Sequence, residues 1–467
     1  MTGPDFHDRL DAVLRREIGG VLGLLRAERL SGGASHETYR LCVETAQGER
    51  RLALRRAPGG ALDRERAIGG PGPRVEARLF EAARAAGVPA PEVHYVLEPA
   101  DGLGDGFVME WLDGETFGAR IVRSDALAGV RPRLARECGR ILGRIHDVDL
   151  DASGLRDALE RVEPEAYVSD TWQRYQGHDV PQPMIDYSAR WLLANLPPRC
   201  EPRLVHNDFR NGNLMVTRDG VAAVLDWELA HIGDPMRDLG WLCTSSWRFG
   251  GSLPVGGFGT REDLFAGYEA QTGRPVAPAA VHFWEVFGSF WWAVASLEMA
   301  QRNRGGPDRS VERAAIGRRS SECQIDCANL LIPGKATPPE PLPPEPLDLP
   351  RSDELLASVR EHLAAEAANA AGRARFLARV AGNALAIVER ELLLGPPTRA
   401  AEHTRLRALL GADASLAALR ARLCGELRDG RVPIDDAALQ AHLRQTAADR
   451  IAIDQPHYAG LAALRGR

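Results

Sequence analysis

Three polar residues set between short apolar runs could do chemistry. Asp208 is followed five residues later by Asn213, and Asp226 comes thirteen further on. Leu204-Val205 and Leu214-Met215-Val216 bracket a polar turn, and Val221-Ala222-Ala223-Val224-Leu225 ends directly on Asp226. The pattern predicts strand, loop, strand, turn, strand and then a carboxylate. Polar residues at strand ends project into a cleft rather than a core. Asp208 can accept a proton from an attacking hydroxyl. Asn213 and Asp226 are hard oxygen donors of the kind Mg²⁺ prefers.

Other elements must hold these residues in place. Ser31, Gly32, Gly33 and Ser35 lie between an apolar run and the alternating stretch Thr38–Val43. A Ser-Gly-Gly turn is common in hairpins. Upstream of such a catalytic loop, however, its glycines let backbone N–H groups reach phosphate oxygens, and Ser35 adds a hydroxyl. Residues 51–56 alternate and read as a third strand. Residues 74–86 read as a helix stopped by Gly87-Val88-Pro89. The stretch 58–73 is too rich in Gly and Pro for regular structure. Residues 93–97 and 107–111 read as two more strands, and 131–147 as an amphipathic helix in which His146 is a structural histidine. Asp234 suits the start of a helix, where its carboxylate satisfies free N–H groups. Residues 160–196 and 262–300 are mostly helical. The cluster Phe283, Phe287, Phe290, Trp291 and Trp292 reads as core.

Composition limits the class. The chain has 467 residues, 44% of them hydrophobic, which is enough for two or three packed domains. A net charge of −6 gives no general case for nucleic-acid binding. Seven scattered cysteines read as reduced thiols of a cytoplasmic protein. The apolar run 283–300 contains Glu285 and Glu298, so it reads as a buried helix and not a membrane span. Lys335 is the chain's single lysine.

The motif His206-x-Asp208-x-x-x-x-Asn213 with Asp226 resembles the aminoglycoside phosphotransferase and choline kinase family. Within that family it is most similar to the branch of kinase domains attached to acyl-CoA dehydrogenases. The resemblance covers about residues 25–300. Asn207 stands where this branch usually carries glycine, and asparagine tolerates unusual backbone angles better than most residues. His36 stands where relatives often carry asparagine.

The resemblance implies an α+β, two-lobed protein-kinase-like fold that uses ATP and Mg²⁺. Asp208 would be the base, and Asn213 and Asp226 the metal ligands. Arg55 would hold phosphate in place of the usual lysine, braced by Glu76. Backbone groups from Glu110 to Leu112 would meet adenine. Asp238 would brace the catalytic loop.

Residues 333–350 are proline-dense and read as a linker. Beyond them, apolar residues at helical spacing predict a small all-α bundle of four or five helices, with Gly395-Pro396-Pro397 as a stop. This tail resembles an uncharacterised helical domain found beside such kinases, and His403, His442 and His457 read as surface residues. The expected organisation is an N-lobe over 1–114, a C-lobe over 115–332, the linker, and a bundle over 351–467 that folds independently.

The expected reaction moves the γ-phosphoryl group of ATP to a hydroxyl of a small molecule, with hydroxyacyl-CoA as the favoured acceptor. Rival readings are an aminoglycoside-type antibiotic kinase and a catalytically silent nucleotide-binding regulatory module. A further rival makes the tail a homo-oligomer contact to which the kinase is subordinate.

Overall fold

A computed structural model describes residues 4–30, 36–57, 71–306, 309–342 and 349–463. In chain order the elements begin with α1 (Pro4–Glu17), β1 (Val21–Arg29), β2 (Glu37–Thr45), β3 (Gly48–Arg56), α2 (Pro73–Ala85), β4 (Val93–Val96) and β5 (Gly106–Glu110). Next come α3 (Gly118–Arg123), α4 (Arg131–His146), α5 (Pro164–Gln176) and α6 (Pro183–Ala194). The short strands β6 (Arg203–Val205), β7 (Leu214–Val216), β8 (Val221–Val224) and β9 (His231–Gly233) follow, then α7 (Met236–Cys243), α8 (Arg261–Thr272) and α9 (Pro278–Gly305). The chain closes with α10 (Val311–Arg318), α11 (Ser320–Leu331), α12 (Ser352–Asn369), α13 (Gly372–Leu410), α14 (Leu416–Arg428), α15 (Ala437–Asp454) and α16 (Ala459–Ala463).

These elements fall into two compact units. The first comprises residues 1–163 and 198–284, the second 164–197 and 285–467. These boundaries differ from those suggested by composition, because the proline-rich stretch lies within the second unit.

In the first unit, β1 to β5 form an antiparallel sheet in the order β1-β2-β3-β5-β4. Alternation along β2 and β3 buries Leu41, Val43, Leu52 and Leu54 on one face, where Leu10 and Leu14 of α1 cover them. Each fully buried leucine is worth roughly 1.5–3 kcal/mol of transfer free energy. The register pairs Arg55 with Phe107 and Arg56 with Gly106. A Cβ on Gly106 would lie 2.7 Å from the Arg55 carbonyl oxygen, so the strands approach this closely only because residue 106 is glycine. Two small ladders, β6 with β9 and β7 with β8, frame the loop that carries Asp208.

The second unit is helical. Its α6 buries Met184, Ile185, Tyr187 and Leu192. The fully buried Asp186 carboxylate accepts from Trp172 Nε1 at 2.7 Å, Tyr175 Oη at 3.3 Å and Arg428 Nε at 2.8 Å. Arg444 donates to the carbonyls of Ala328 and Ile332, which close the C-terminal end of α11. Tyr458 donates to Asp326 at 2.6 Å.

Two expectations about the tail are corrected. Gly395-Pro396-Pro397 does not stop a helix, since α13 runs from Gly372 to Leu410 through both prolines. A proline frees the carbonyl four residues before it. The Leu393 carbonyl, freed by Pro397, accepts instead from Leu342 N at 3.3 Å, and Thr398 Oγ1 donates to Leu394 O at 2.8 Å and to Gly395 O at 3.0 Å. His442 is not on the surface, because the apolar side of α15 carries it inward to 3% exposure. His457 is exposed and His403 is half-buried.

A chain ending at Ile332 would lose Arg428 from Asp186 and uncover the buried face of α6. It is expected to aggregate on size-exclusion chromatography, whereas a monomeric peak with cooperative unfolding would show that α5, α6 and α11 hold together without the tail.

Candidate active site

The site lies in the first unit and is built around one guanidinium. Arg55, near the end of β3, donates through Nε to Glu76 Oε2 at 2.9 Å, and through Nη2 to Asp226 and to Glu228 Oε2, the latter at 3.3 Å. Glu76 comes from the first turn of α2 and has no exposed side-chain surface. Phe80, one turn on, fixes this helix by packing on Phe107 and Trp227 at ring distances of 5.8 and 6.3 Å. The second Glu76 oxygen accepts from Trp227 N at 3.2 Å. A strand, a helix and the segment after β8 therefore meet on four charged groups. Arg56 points the other way, as alternation requires. It is wholly buried, bonded to Glu37 and to the Leu103 carbonyl, with its guanidinium 4.3 Å from the Phe6 ring centroid.

The catalytic-loop residues form a second, connected group. Asp208 Oδ2 accepts from Asn213 Nδ2 at 2.6 Å, and Oδ1 accepts from Arg210 Nε and Trp241 Nε1, each at 2.9 Å. The Asn213 carbonyl accepts from Leu225 N at 2.8 Å, which ties the loop to the residue before Asp226. Asp238, fully buried in α7, receives the backbone N–H groups of His206 and Asn207 at 2.8 and 2.7 Å, and His146 lies 3.2 Å away. Despite burial, these bonds hold Asp238 below the ordinary carboxylate range. Asp234 accepts from Met236 N at the start of the same helix.

Asn207 has φ 67° and Asp226 has φ 64°, both in the left-handed region. Asparagine enters that region at little cost. Aspartate, with a similarly short polar side chain, also enters it as a single residue, and the turn at Asp226 sets its carboxylate beside Arg55.

Asp226 is also electrostatically poised. Burial pushes its carboxyl up to about 6; Arg55 opposes that rise, and Glu228, Glu76 and Asp208 add to it. Among the described residues no group of three or more His, Cys, Asp or Glu could hold a metal ion. A Mg²⁺ shared with phosphate oxygens needs only one or two protein ligands. The donor set fits that case, since Asn213 turns its amide nitrogen toward Asp208, which leaves its side-chain oxygen as the acceptor.

The structure thus brings together Asp208, Asn213, Asp226, Arg55 and Glu76. Ser31, Gly32, Gly33 and Ser35 lie outside the described residues, as does most of the stretch 58–73. Glu110 ends β5, and its amide donates to the Glu92 carbonyl at 2.8 Å, so any contact with a base falls to its carbonyl and to the segment through Leu112. Sequence reasoning missed Glu228, Arg210 and Trp241. The first two sit two residues beyond Asp226 and Asp208, a spacing that could have placed them beside the same cleft. Trp241 gave no local signal. Glu228 also lies 2.9 Å from Nδ1 of the buried His36, which gives that residue a place in the site.

Residues 26–279 match the phosphotransferase enzyme family. This chain belongs to that family. Residues 368–458 match a domain of unknown function (DUF6285). The phosphotransferase region is 31% identical over 251 residues to acyl-CoA dehydrogenase family member 10 of Mus musculus, covering 51% of this chain and 22% of that protein. It is 32% identical over 238 residues to family member 11 of Gallus gallus, covering 47% and 28%. The chain therefore spans between a fifth and a third of the length of these curated relatives. A crystal structure of a Ralstonia eutropha protein assigned to the aminoglycoside phosphotransferases superposes with a TM-score of 0.56 at 24% identity, covering 68% of this chain and 96% of that one. That likeness shows the kinase-like phosphotransferase fold. Among the described residues no helix is long and apolar enough to cross a membrane.

The raised Asp226 carboxyl has a consequence for stability. Between the ordinary value of 3.8 and about 6, the folded state keeps a proton that the unfolded chain has lost. Stability therefore falls as pH rises through this window, and above it the full cost of a charged Asp226 is present. Asp226→Asn is expected to raise the melting temperature of the ligand-free protein by roughly 2–4 °C at pH 8. The gain should disappear below about pH 4. Scanning calorimetry at the two pH values checks this; a lower melting point at pH 8 would show that Arg55 requires the charge.

Proposed function

We propose that this chain transfers the γ-phosphoryl group of ATP to a hydroxyl of a small molecule. The observation that carries the reading is the linked pair of clusters, Glu76–Arg55–Asp226 and Asp208–Asn213, joined through the Asn213 carbonyl and Leu225. Asp208 accepts the hydroxyl proton, and its two oxygens are oriented by Asn213, Arg210 and Trp241. Arg55 is a two-pronged cation held in place by Glu76, suited to gripping phosphate oxygens. Asn213 and Asp226 hold Mg²⁺, which when bound supplies charge neutralisation for the transferring group. The Glu110–Leu112 backbone meets adenine. Because the transition state of such transfers is loose, positioning and electrostatics supply most of the rate.

Kinship with acyl-CoA dehydrogenase family members supports a hydroxyacyl-CoA acceptor over an aminoglycoside. The intact Asp208, Asn213 and Asp226 support an active enzyme over a silent nucleotide-binding module.

The test is ATP consumption over a panel of hydroxylated metabolites and acyl-CoA compounds. Asp208→Ala is expected to slow turnover by roughly 10²–10⁴ with ATP affinity nearly intact. Turnover equal to that of the parent chain would sink the assignment of the base.

Arg55 and Arg56 separate nucleotide binding from stability. Arg56→Ala should destabilise strongly, by roughly 3–5 kcal/mol, because it removes the buried one of Glu37's two arginine partners and leaves only the surface Arg29 and the Tyr39 hydroxyl. The protein that remains folded should still bind Mg-ATP. Arg55→Ala should abolish that binding, and Arg55→Lys should restore only part of it. Calorimetric titration of the folded variants reads the difference, and loss of ATP affinity in Arg56→Ala alone would assign the phosphate contact to the wrong arginine.

A further inference from the structure

A cavity of about 650 Å³ opens within the second unit. Its walls come from the turn between α5 and α6, from α9, α10 and α11, and from the tail helices α13, α14 and α15. This volume is in the range of small-molecule sites, roughly 300–1,000 Å³. Neither the catalytic residues nor any comparison assigns it a role.

Five arginines and five carboxylates line it, but most of them cancel. Arg420 grips both oxygens of Glu402. Arg318 pairs with Asp454 at 2.7 Å and with Glu391 at 3.0 Å. Asp449 is taken by Arg405 at 3.1 Å. What remains is Arg450, Arg304 and Arg399 against Asp179 and Glu391, since Arg318 carries one charge for its two partners. Arg399 comes no closer than 4.0 Å to Glu391, and Arg304, Arg399 and Asp179 are exposed.

Arg450 is the distinctive group. It is largely enclosed, yet its guanidinium donates only to neutral amide oxygens, those of Gln182 and Gln324. Among the described residues no carboxylate forms an ion pair with it, because the neighbouring Glu402 and Asp454 are engaged by Arg420 and Arg318. Arginine does not shed its proton to escape burial. An enclosed guanidinium without a counter-charge is costly unless an anion arrives. The same cluster holds the buried His442, whose two ring nitrogens have no hydrogen-bond partner. Burial and then Arg405 push it down to about 4, so it is neutral at physiological pH and offers no competing positive charge.

We propose that this cavity binds a small organic phosphate monoester, with Arg450 as the anchor and Arg304 and Arg399 at the mouth. A phosphate monoester carries about −1.5 to −2 charges at neutral pH, which supplies the counter-charge that Arg450 lacks and answers the excess of positive charge around it. Its oxygens suit the planar fork of arginine. Gln301 and His178, which also line the cavity, supply hydrogen-bonding groups for the hydroxyls of a sugar-sized ligand. Most of the charged wall comes from the stretch matched by the domain of unknown function, so the tail gains a chemical role separate from phosphoryl transfer.

The probe is glucose 6-phosphate, titrated calorimetrically into the full chain, with inorganic phosphate and citrate in parallel. Saturable binding is expected, weakened at least about tenfold in Arg450→Gln and partly recovered in Arg450→Lys. Arg55→Ala should leave it unchanged, which separates this site from the catalytic cleft. Three results would overturn the proposal: no binding of glucose 6-phosphate at millimolar concentration, binding that survives Arg450→Gln, or tighter binding of citrate than of the phosphate ester. Circular dichroism reports whether Arg450→Gln folds. Should it not, the double variant Arg304→Glu, Arg399→Glu at the exposed mouth decides: weaker binding supports the site, and unchanged affinity overturns it.

Discussion

The first unit depends on the arrangement of Arg55 among Glu76, Asp226 and Glu228. One guanidinium joins three carboxylates that come from a helix and from the segment after β8. Without Arg55 these carboxylates would repel one another in a partly enclosed space. Without them, a desolvated cation would stand alone at the end of a strand. Each half is tolerable only in the presence of the other, so the strand, the helix and the Asp226 segment are positioned together. Burial is the main cause of the raised Asp226 carboxyl, with Glu228, Glu76 and Asp208 adding to it against Arg55, and a divalent cation would favour the charged form.

The catalytic loop rests on a different device. Asp238 accepts two consecutive backbone N–H groups, and the left-handed Asn207 turns the chain between them and Asp208. Backbone hydrogen bonds to a buried carboxylate are short and directional, so the loop does not need a long strand on either side. This explains how strands of three residues can hold a reacting group in position.

Much of this was legible in the sequence because it is local. Short apolar runs that bracket Asp208 and Asn213 and end on Asp226 announce a strand-bordered cleft, and a chain with one lysine narrows the choice of phosphate cation to arginine. The kinase-like fold followed from the same motif. The partners Glu228, Arg210 and Trp241 were hidden because side-chain pairing across loops is a tertiary property, and only the first two carried a positional hint. Pro396-Pro397 misled because the local rule is sound but the Leu393 carbonyl that Pro397 frees is taken up by Leu342 N, a group too distant in sequence to enter the pattern. Composition marked the proline-rich stretch as a boundary because it reads chain stiffness. It cannot read which buried faces meet, and Asp186 meets Arg428 across that stretch.

The Asp186–Arg428 contact closes a sequence separation of 242 residues. A ribosome makes the α5–α6 hairpin early and its partner helix α14 much later. At roughly 5–20 residues per second, about ten to fifty seconds pass between the two. During that interval a carboxylate destined for full burial, and the apolar face of α6 beside it, have no native surface to meet. The nascent chain must carry an unfinished second unit while the phosphotransfer site emerges and condenses, which makes this hairpin a natural client for chaperones and the point at which slow or paused translation would do the most harm.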